Sequence, residues 1–323
     1  MQVKTEPVQS LQVVTPAQRR SQHKHLRLGI LFMAPAFLVI TVFMLGPAFW
    51  AIYISFTNMS LTGAGAATPM WVGLQNFVQI LHDAEFFNAF RVSLTYLVVS
   101  ALIGQAVLGL LLAMLMRHRQ RLFKSVLGAI IIVAWVIPDV VAGFLWSSFL
   151  AGGPQSVLSP GLLNSIVATF GLPQHAWLQD YPMASIIVAN TWRGTAFSML
   201  LYASALEGIP PELLEAASID GARARDRFWH VTLPMISPTL FFNSVLALIA
   251  AFQTFETAFI GTKGGPAYAT WLYSLHIYRN SFEFFDMGYG ATLAWILFVT
   301  LSVFTFLQFR SARNWVYYAG ETR

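Results

Sequence analysis

The 323-residue chain has no cysteine, and only 10% of its residues are charged, where soluble domains carry roughly 25%. Lacking cysteine, it has no disulfides, thiolate metal sites or cysteine nucleophile, and its redox compartment stays open. So little charge excludes a water-facing surface over most of the molecule. With 56% hydrophobic and 15% aromatic residues, the chain reads as an integral membrane protein. No G-x-x-x-x-G-K-[ST] phosphate loop occurs, so nothing here is expected to cradle ATP. The 7 histidines show no H-E-x-x-H or other metal spacing, and no Ser/His or His/Asp constellation lies within the apolar runs. Neither a metal site nor catalytic residues are expected.

What is present is a series of long apolar runs. Crossing about 30 Å of hydrocarbon takes roughly 20 apolar residues, and six runs qualify, near 28–56, 89–116, 124–150, 183–207, 234–260 and 287–310. They are too long and too uniformly apolar for barrel strands, so the expected class is all-α with about six transmembrane helices. The first run exceeds a signal-peptide core and is read as a retained helix. The +5 net charge sits at the boundaries of these runs, which removes the case for a nucleic-acid partner. Lys4, Arg19, Arg20, Lys24 and Arg27, then Arg117, Arg119, Arg121 and Lys124, then Arg223, Arg225 and Arg227, then Arg310, Arg313 and Arg323 all fall on one side; Arg91, Lys263 and Arg279 fall on the other. Basic residues are retained in the cytoplasm, so both termini are expected there.

Between the runs, residues 1–18 are polar and expected to be disordered, 57–71 a loose outer loop, and 151–182 a compact cap. Trp71, Leu74, Phe77, Ile80 and Leu81 recur at helical spacing and predict a short helix along the outer membrane surface. Pro138 is expected to bend the third span.

The loop between spans four and five is the most distinctive segment. Pro210-Pro211 opens a helix, Glu212 to Ala217 continue it with strong helix formers, and Asp220-Gly221 closes it through a left-handed glycine. A second short helix over 222–230 bears Arg223, Arg225 and Arg227. The expected product is a helix–turn–helix knob that docks on another protein.

Charged residues inside spans cost roughly 2.5 to 3.5 kcal/mol on insertion scales and need partners or a water-filled cavity. Asp139, Arg193 and Glu256 are such residues. Arg193 either lines a pocket or pairs structurally with Asp139 or Glu256. Gln105 and Gln253 are expected to bridge helices rather than to hold ligand.

Glu215-Ala216-Ala217, three residues, Gly221, nine residues, Val231, then Leu233-Pro234 resembles the "EAA" loop of permease subunits of bacterial ABC importers, with Val231 where the usual form has Ile. Trp71 to Phe77, Gly208 to Leu213, Gly264-Gly265-Pro266 and Met287 to Gly290 are similar to the carbohydrate importers, of the maltose-permease-like, shorter multiple-sugar type. The resemblance implies the type I importer permease fold, with a tail at 1–27, a permease domain at 28–310 that includes a coupling loop near 208–234, and a tail at 311–323. It implies residence in the bacterial inner membrane, with Glu215, Ala216, Ala217, Asp220, Gly221, Leu233 and Pro234 coupling to a separate ATPase that binds ATP and Mg. The implied partners are a second permease, two ATPase subunits and an extracytoplasmic sugar-binding protein. By the same resemblance Asn190, Trp192, Arg193, Gly194 and Phe197 line a substrate pocket, with Ala247, Ala251 and Thr254 facing it from span five; Asp139 and Glu256 complete the candidate set. Aromatic faces stack on sugar rings while amides and charged groups satisfy hydroxyls. The alternative from another class is an ion-coupled secondary transporter using Asp139, Arg193 and Glu256.

Overall fold

The computed structural model describes residues 16–117, 119–153 and 160–312. Most of the expected tails, with Lys4, Arg313 and Arg323, lies outside the described residues. The chain divides into two units, Met1–Tyr53 and Ile54–Arg323.

In the first unit, helix begins at Pro16, twelve residues ahead of the apolar run, because proline is tolerated in a first turn and the polar residues after it are adequate helix formers. The expected tail at 1–27 is therefore helical from Pro16 onward. Helix Pro16–Ile40 passes through a five-residue π turn, Thr41–Leu45, into Gly46–Ile54. From Leu28 to Trp50 its side chains are exposed nearly all round, Phe32 at 82% and Phe43 at 75%, as suits a helix surrounded by lipid or by another protein.

In the second unit, span two is a single helix, Ala84–Arg117, capped by Asp83, whose carboxylate accepts from the Glu85 and Phe86 amides. Span three is broken: Leu122–Val136 and Asp139–Phe149 meet at 99°. Pro138 supplies the break, and Ile137 before it is pushed out of helical geometry, with ψ 129°. Span five, Ser237–Gly261, is interrupted at Thr254 and Phe255 and resumes at Glu256. Span six is Met287–Ala312. Among the described residues, four helices are long and apolar enough to cross a membrane, five with the bent pair. The fourth run forms a 26-residue helix, Pro182–Glu207, that is long enough but carries Asn190-Thr191-Trp192-Arg193-Gly194 at its centre. Among the described residues only isolated bridges, such as Thr57 with Trp71, break the all-helical pattern.

Two apolar clusters hold the second unit together. One joins Tyr96, Ile186, Leu248, Phe252, Tyr273 and Leu293; the other joins Ala113, Met199, Tyr202, Leu206 and Ile236. Small residues let the spans meet backbone to backbone: a Cβ on Gly109 would stand 2.6 Å from Ser198 Cβ, and one on Gly104 2.7 Å from Thr191 Oγ1.

The short surface helix forms at Gln75–Leu81, but with a different face inward. Ile80, at 1% exposure, turns to the core with Asn76, while Trp71, Leu74, Val78 and Leu81 form the exposed apolar stripe. Asn76 decides the rotation, because its Nδ2 donates to the Ser55 and Thr57 carbonyls and must be buried to do so. The 151–182 segment is pinned by Asn164, whose side chain bonds the Ala151 and His175 carbonyls, the His175 amide and Trp177 Nε1.

Candidate functional site

On a helix, residues i, i+3, i+4 and i+7 share one face. In span four Asn190, Arg193, Gly194 and Phe197 have this spacing, and all four line a cavity of about 510 Å³. Span three contributes Trp135 and Asp139; span two contributes Ala101 and Gln105; span five contributes Asn243, Ala247, Ala251, Gln253, Thr254, Glu256 and Thr257. Asp139, Asn190, Arg193, Gly194, Phe197, Thr254 and Glu256, separated in sequence, are thus brought together.

Trp192 is not among them. It lies two positions from Asn190, on another face of the helix, and packs edge-on against Trp146 at 5.8 Å beside Leu145, Phe149 and Leu162. The aromatic faces of the cavity are instead Trp135 and Phe197, stacked 5.4 Å apart at 25°. The helical period of span four sets Trp192 off the face shared by Asn190, Arg193, Gly194 and Phe197, while Trp135 reaches the cavity through packing that no local signal in the sequence announces.

Arg193 forms an ion pair with Asp139 while both line the cavity. Pairing and pocket lining, posed as alternatives, coexist. Both acidic residues stand in the first turn of a helix that starts after a break, Asp139 after Pro138 and Glu256 after Phe255. The unbonded amides and positive end of the helix dipole favour a carboxylate there, which lowers the cost of holding it within a span. The two half-helices pack together at Gly143, where a Cβ would meet Ile260 at 2.9 Å.

The amides of the cavity are engaged by the wall. Gln105 Nε2 donates to the Asn190 carbonyl at 3.2 Å, the helix bridge expected of it; Asn190 Nδ2 donates to Ser100 Oγ at 2.7 Å. A Cβ added at Gly194 would fall 2.2 Å from the Gln105 amide and would displace that side chain from its present bond. Asn243, which the sequence did not single out, donates to Ser198 Oγ and Tyr202 OH at 3.1 and 2.7 Å and ties spans four and five beside the cavity. Gln253, also expected to bridge helices, faces the cavity.

The loop between spans four and five folds as helix Pro211–Ile219, a turn, and helix Ala224–Arg227. Gly221 adopts φ +80°, and the Ala222 amide reaches back to the Ala217 carbonyl at 2.9 Å, so the turn is closed by a left-handed glycine. The second helix is shorter than the expected 222–230, because Phe228–Thr232 widens into a π turn that leads to Leu233 and Pro234. Arg227 Nη1 donates to Ser218 Oγ at 3.3 Å and braces the two limbs. Glu215, Ala216 and Asp220 are exposed, Ala217 half-buried, and Ile219 is 87% exposed at the tip.

A separate polar cluster joins span two, the Tyr273–Tyr278 helix and span six. His276, 1% exposed, accepts from Trp271 Nε1 at its Nδ1, which leaves Nε2–H to donate to Asp83 at 3.2 Å; Tyr289 OH donates to the same carboxylate. Burial holds the His276 pKa below its ordinary value despite the pull of Asp83. Burial pushes the Asp83 carboxyl up, but the hydrogen bonds from Tyr289, Phe86 and Glu85 together with His276 outweigh it and hold it below the usual range.

Comparisons agree with this architecture. Residues 105–314 match the family described as binding-protein-dependent transport system inner membrane component. The probable ABC transporter permease protein YesP of Bacillus subtilis is 30% identical over 316 residues, 94% of this chain and 96% of its own length. The trehalose/maltose transport system permease protein MalF of Thermococcus litoralis is 30% identical over 294 residues, 90% of this chain and 96% of its own. Among solved structures, a chain of a bacterial ABC transporter involved in the import of the acidic polysaccharide alginate superposes with a TM-score of 0.76 over 92% of this chain and 99% of its own, at 21% identity, and so shares the fold.

Proposed function

The chain belongs to the family of inner membrane components of binding-protein-dependent transport systems, and from that premise we propose that it imports a saccharide handed over by an extracytoplasmic binding protein. It is a transport subunit of an ATP-driven importer and not an enzyme. ATP and Mg are bound by a separate ATPase, two copies of which dock on this chain and on a second, different permease. Both termini face the cytoplasm, as does the loop between spans four and five, by the distribution of Lys and Arg.

The observation that carries the reading is the loop itself. A rigid helix closed by Gly221 presents Glu215, Ala216 and the 87%-exposed Ile219 outward, and an apolar side chain left in water at the tip of a braced projection is a surface that fits a partner's cleft. Closure of the ATPase around this helix then moves the attached spans as rigid bodies. Leu233 and Pro234 return the knob to span five, which bears Thr254 and Glu256 at the cavity. Substrate contact falls to Asp139, Asn190, Arg193, Gly194, Phe197, Thr254 and Glu256, together with Trp135. The ion-coupled alternative is not favoured: the family of binding-protein-dependent permeases matches residues 105–314, a relative named as a probable ABC transporter permease matches over 94% of the chain, and Asp139 is engaged by Arg193.

Uptake in vesicles tests the proposal. Transport is expected to require the ATPase subunit, internal ATP and the binding protein, and to persist when protonophore and sodium ionophore collapse the ion gradients. Uptake that survives removal of the ATPase and fails with the gradients would replace this reading with the ion-coupled one.

A further inference from the structure

Apart from the cavity, spans two, three and four leave a groove of about 530 Å³ at the end of the bundle where span two turns into span three. Its inner wall is apolar and built largely of small residues: Met116 from span two, Gly128, Ala129 and Ile132 from span three, Met199 and Ala203 from span four. A Cβ on Gly128 would meet nothing nearer than Met116 Cε at 3.8 Å, so the wall is open at this point. The charged lining residues all stand at one end: Arg117 closes span two, Lys124 lies in the first turn of span three and Glu207 closes span four. From Lys124 to Ile132, as from Glu207 back to Met199, the groove runs about 12 Å at the helical rise, most of the roughly 15 Å of hydrocarbon in one leaflet.

The rim carries an excess of positive charge. Lys124 Nζ lies 3.5 Å from Glu207 Oε1, and an ammonium bonded once keeps two further N–H donors. Arg117 has no ion-pair partner among the described residues, and Arg119, in the connecting turn, is exposed. Span three also begins here, and the side chain of its N-cap Gln120 makes no cap bond to the first-turn amides, which add to the donors facing that side. A soluble anion would answer the rim and leave the apolar groove to water. A zwitterionic lipid would fill the groove but bring a cation of its own to a cationic rim. A phospholipid with a net negative headgroup satisfies both parts, as in other basic pockets between transmembrane helices.

We infer that this groove holds one anionic phospholipid of the leaflet on that side, its phosphate on Arg117 and Lys124 and an acyl chain along Met116, Ala129 and Met199. Glu207 lies four positions before the helix Pro211–Ile219, so the headgroup sits at the root of the loop between spans four and five. The site does not depend on what the chain transports.

Lipid titration read by native mass spectrometry, on the purified permease–ATPase complex stripped of lipid in detergent, tests the inference. The probes are dioleoylphosphatidylglycerol, dioleoylphosphatidylcholine with the same chains and a zwitterionic headgroup, and glycerol phosphate with the anion and no chains. One phosphatidylglycerol is expected to bind roughly tenfold or more tightly than phosphatidylcholine, and glycerol phosphate is expected not to be retained. Arg117→Gln combined with Lys124→Gln should remove the preference between the two lipids. Gly128→Leu, which fills the groove, should lower the retention of both, with the yield of monodisperse complex checked in parallel; if that variant does not assemble, the rim variant alone decides. Phosphatidylcholine bound as tightly as phosphatidylglycerol in the wild type, a preference unmoved by the rim variant, or glycerol phosphate bound as tightly as the lipid overturns the inference. Retention of neither lipid by the assembled complex overturns it too, and marks the groove as covered by the second permease. None of these outcomes bears on the saccharide reading, which vesicle uptake decides.

Discussion

The loop between spans four and five and the cavity are built by opposite means. Every interaction that shapes the loop comes from within about twenty residues: the Pro211 start, the Gly221 turn, the Ala222 to Ala217 bond and the Arg227 brace. The cavity draws on four spans, and its defining contacts, Arg193 with Asp139 and Asn190 with Ser100, join residues 54 and 90 apart. A locally encoded device can be damaged at one residue without harming the bundle. A long-range one fails by degrees, because each wall residue is backed by several neighbours.

The most severe test of that contrast is Gly221→Val. A Cβ at this position would meet nothing within 4 Å, so the cost is conformational alone, about 1–3 kcal/mol for a β-branched residue held at φ +80°. Uptake should be abolished and ATPase association lost, while membrane insertion and sugar binding by the purified permease stay intact. Normal uptake would show that the turn does not set the docking surface.

Arg193→Ala should act next most strongly. A fully buried pair broken on one side costs about 3–5 kcal/mol, but the Asp139 and Arg193 side chains keep 48% and 27% of their exposure, which brings the loss to the order of 1 kcal/mol. The complex should assemble, sugar binding should fall, and addition of Asp139→Asn should restore part of the lost stability. Failure to assemble would mark the pair as a structural bridge.

The aromatic exchange gives a smaller effect. Trp135→Ala or Phe197→Ala should weaken sugar binding roughly threefold to tenfold, the worth of one stacked face. Trp192→Ala should leave binding unchanged, since Trp192 packs on Trp146 outside the cavity. The opposite ranking, measured by equilibrium dialysis of a radiolabelled sugar on the purified complex, would restore Trp192 to the site.

The smallest effect concerns His276. Its pKa in the folded protein lies below the unfolded value of about 6.5, so protonation favours the unfolded chain and stability falls as pH drops through that value. Asp83, held below the carboxylate range, stays ionised throughout this window. The groups acting on His276 are Asp83, Glu85 and Arg279, and protonation turns Nδ1 into a donor facing the Trp271 N–H. The melting temperature should decline between about pH 7.5 and about pH 5.5. His276→Gln, which can still donate to Asp83 and accept from Trp271, should flatten that decline; an unchanged slope would exclude His276 as its source.

The helical class and the apolar runs were legible because hydrocarbon demands length and apolarity, and both are one-dimensional properties. The helix–turn–helix between spans four and five was legible for the same kind of reason: proline, glycine and helix formers act on their immediate neighbours. Pro138 announced its bend by the same local chemistry. Asp139, Asn190, Arg193, Gly194, Phe197, Thr254 and Glu256 were named for the cavity, but their relations were not. The rotation of the Gln75–Leu81 helix turned on Asn76 finding carbonyls twenty residues earlier. Only the packed spans decided that Arg193 forms its ion pair with Asp139 while both line the cavity, that Trp135 replaces Trp192, and that Gln105 and Asn190 reach across to the Asn190 carbonyl and Ser100. Such choices depend on which faces of four helices meet, and a linear pattern carries the period of each helix without its rotation against the others.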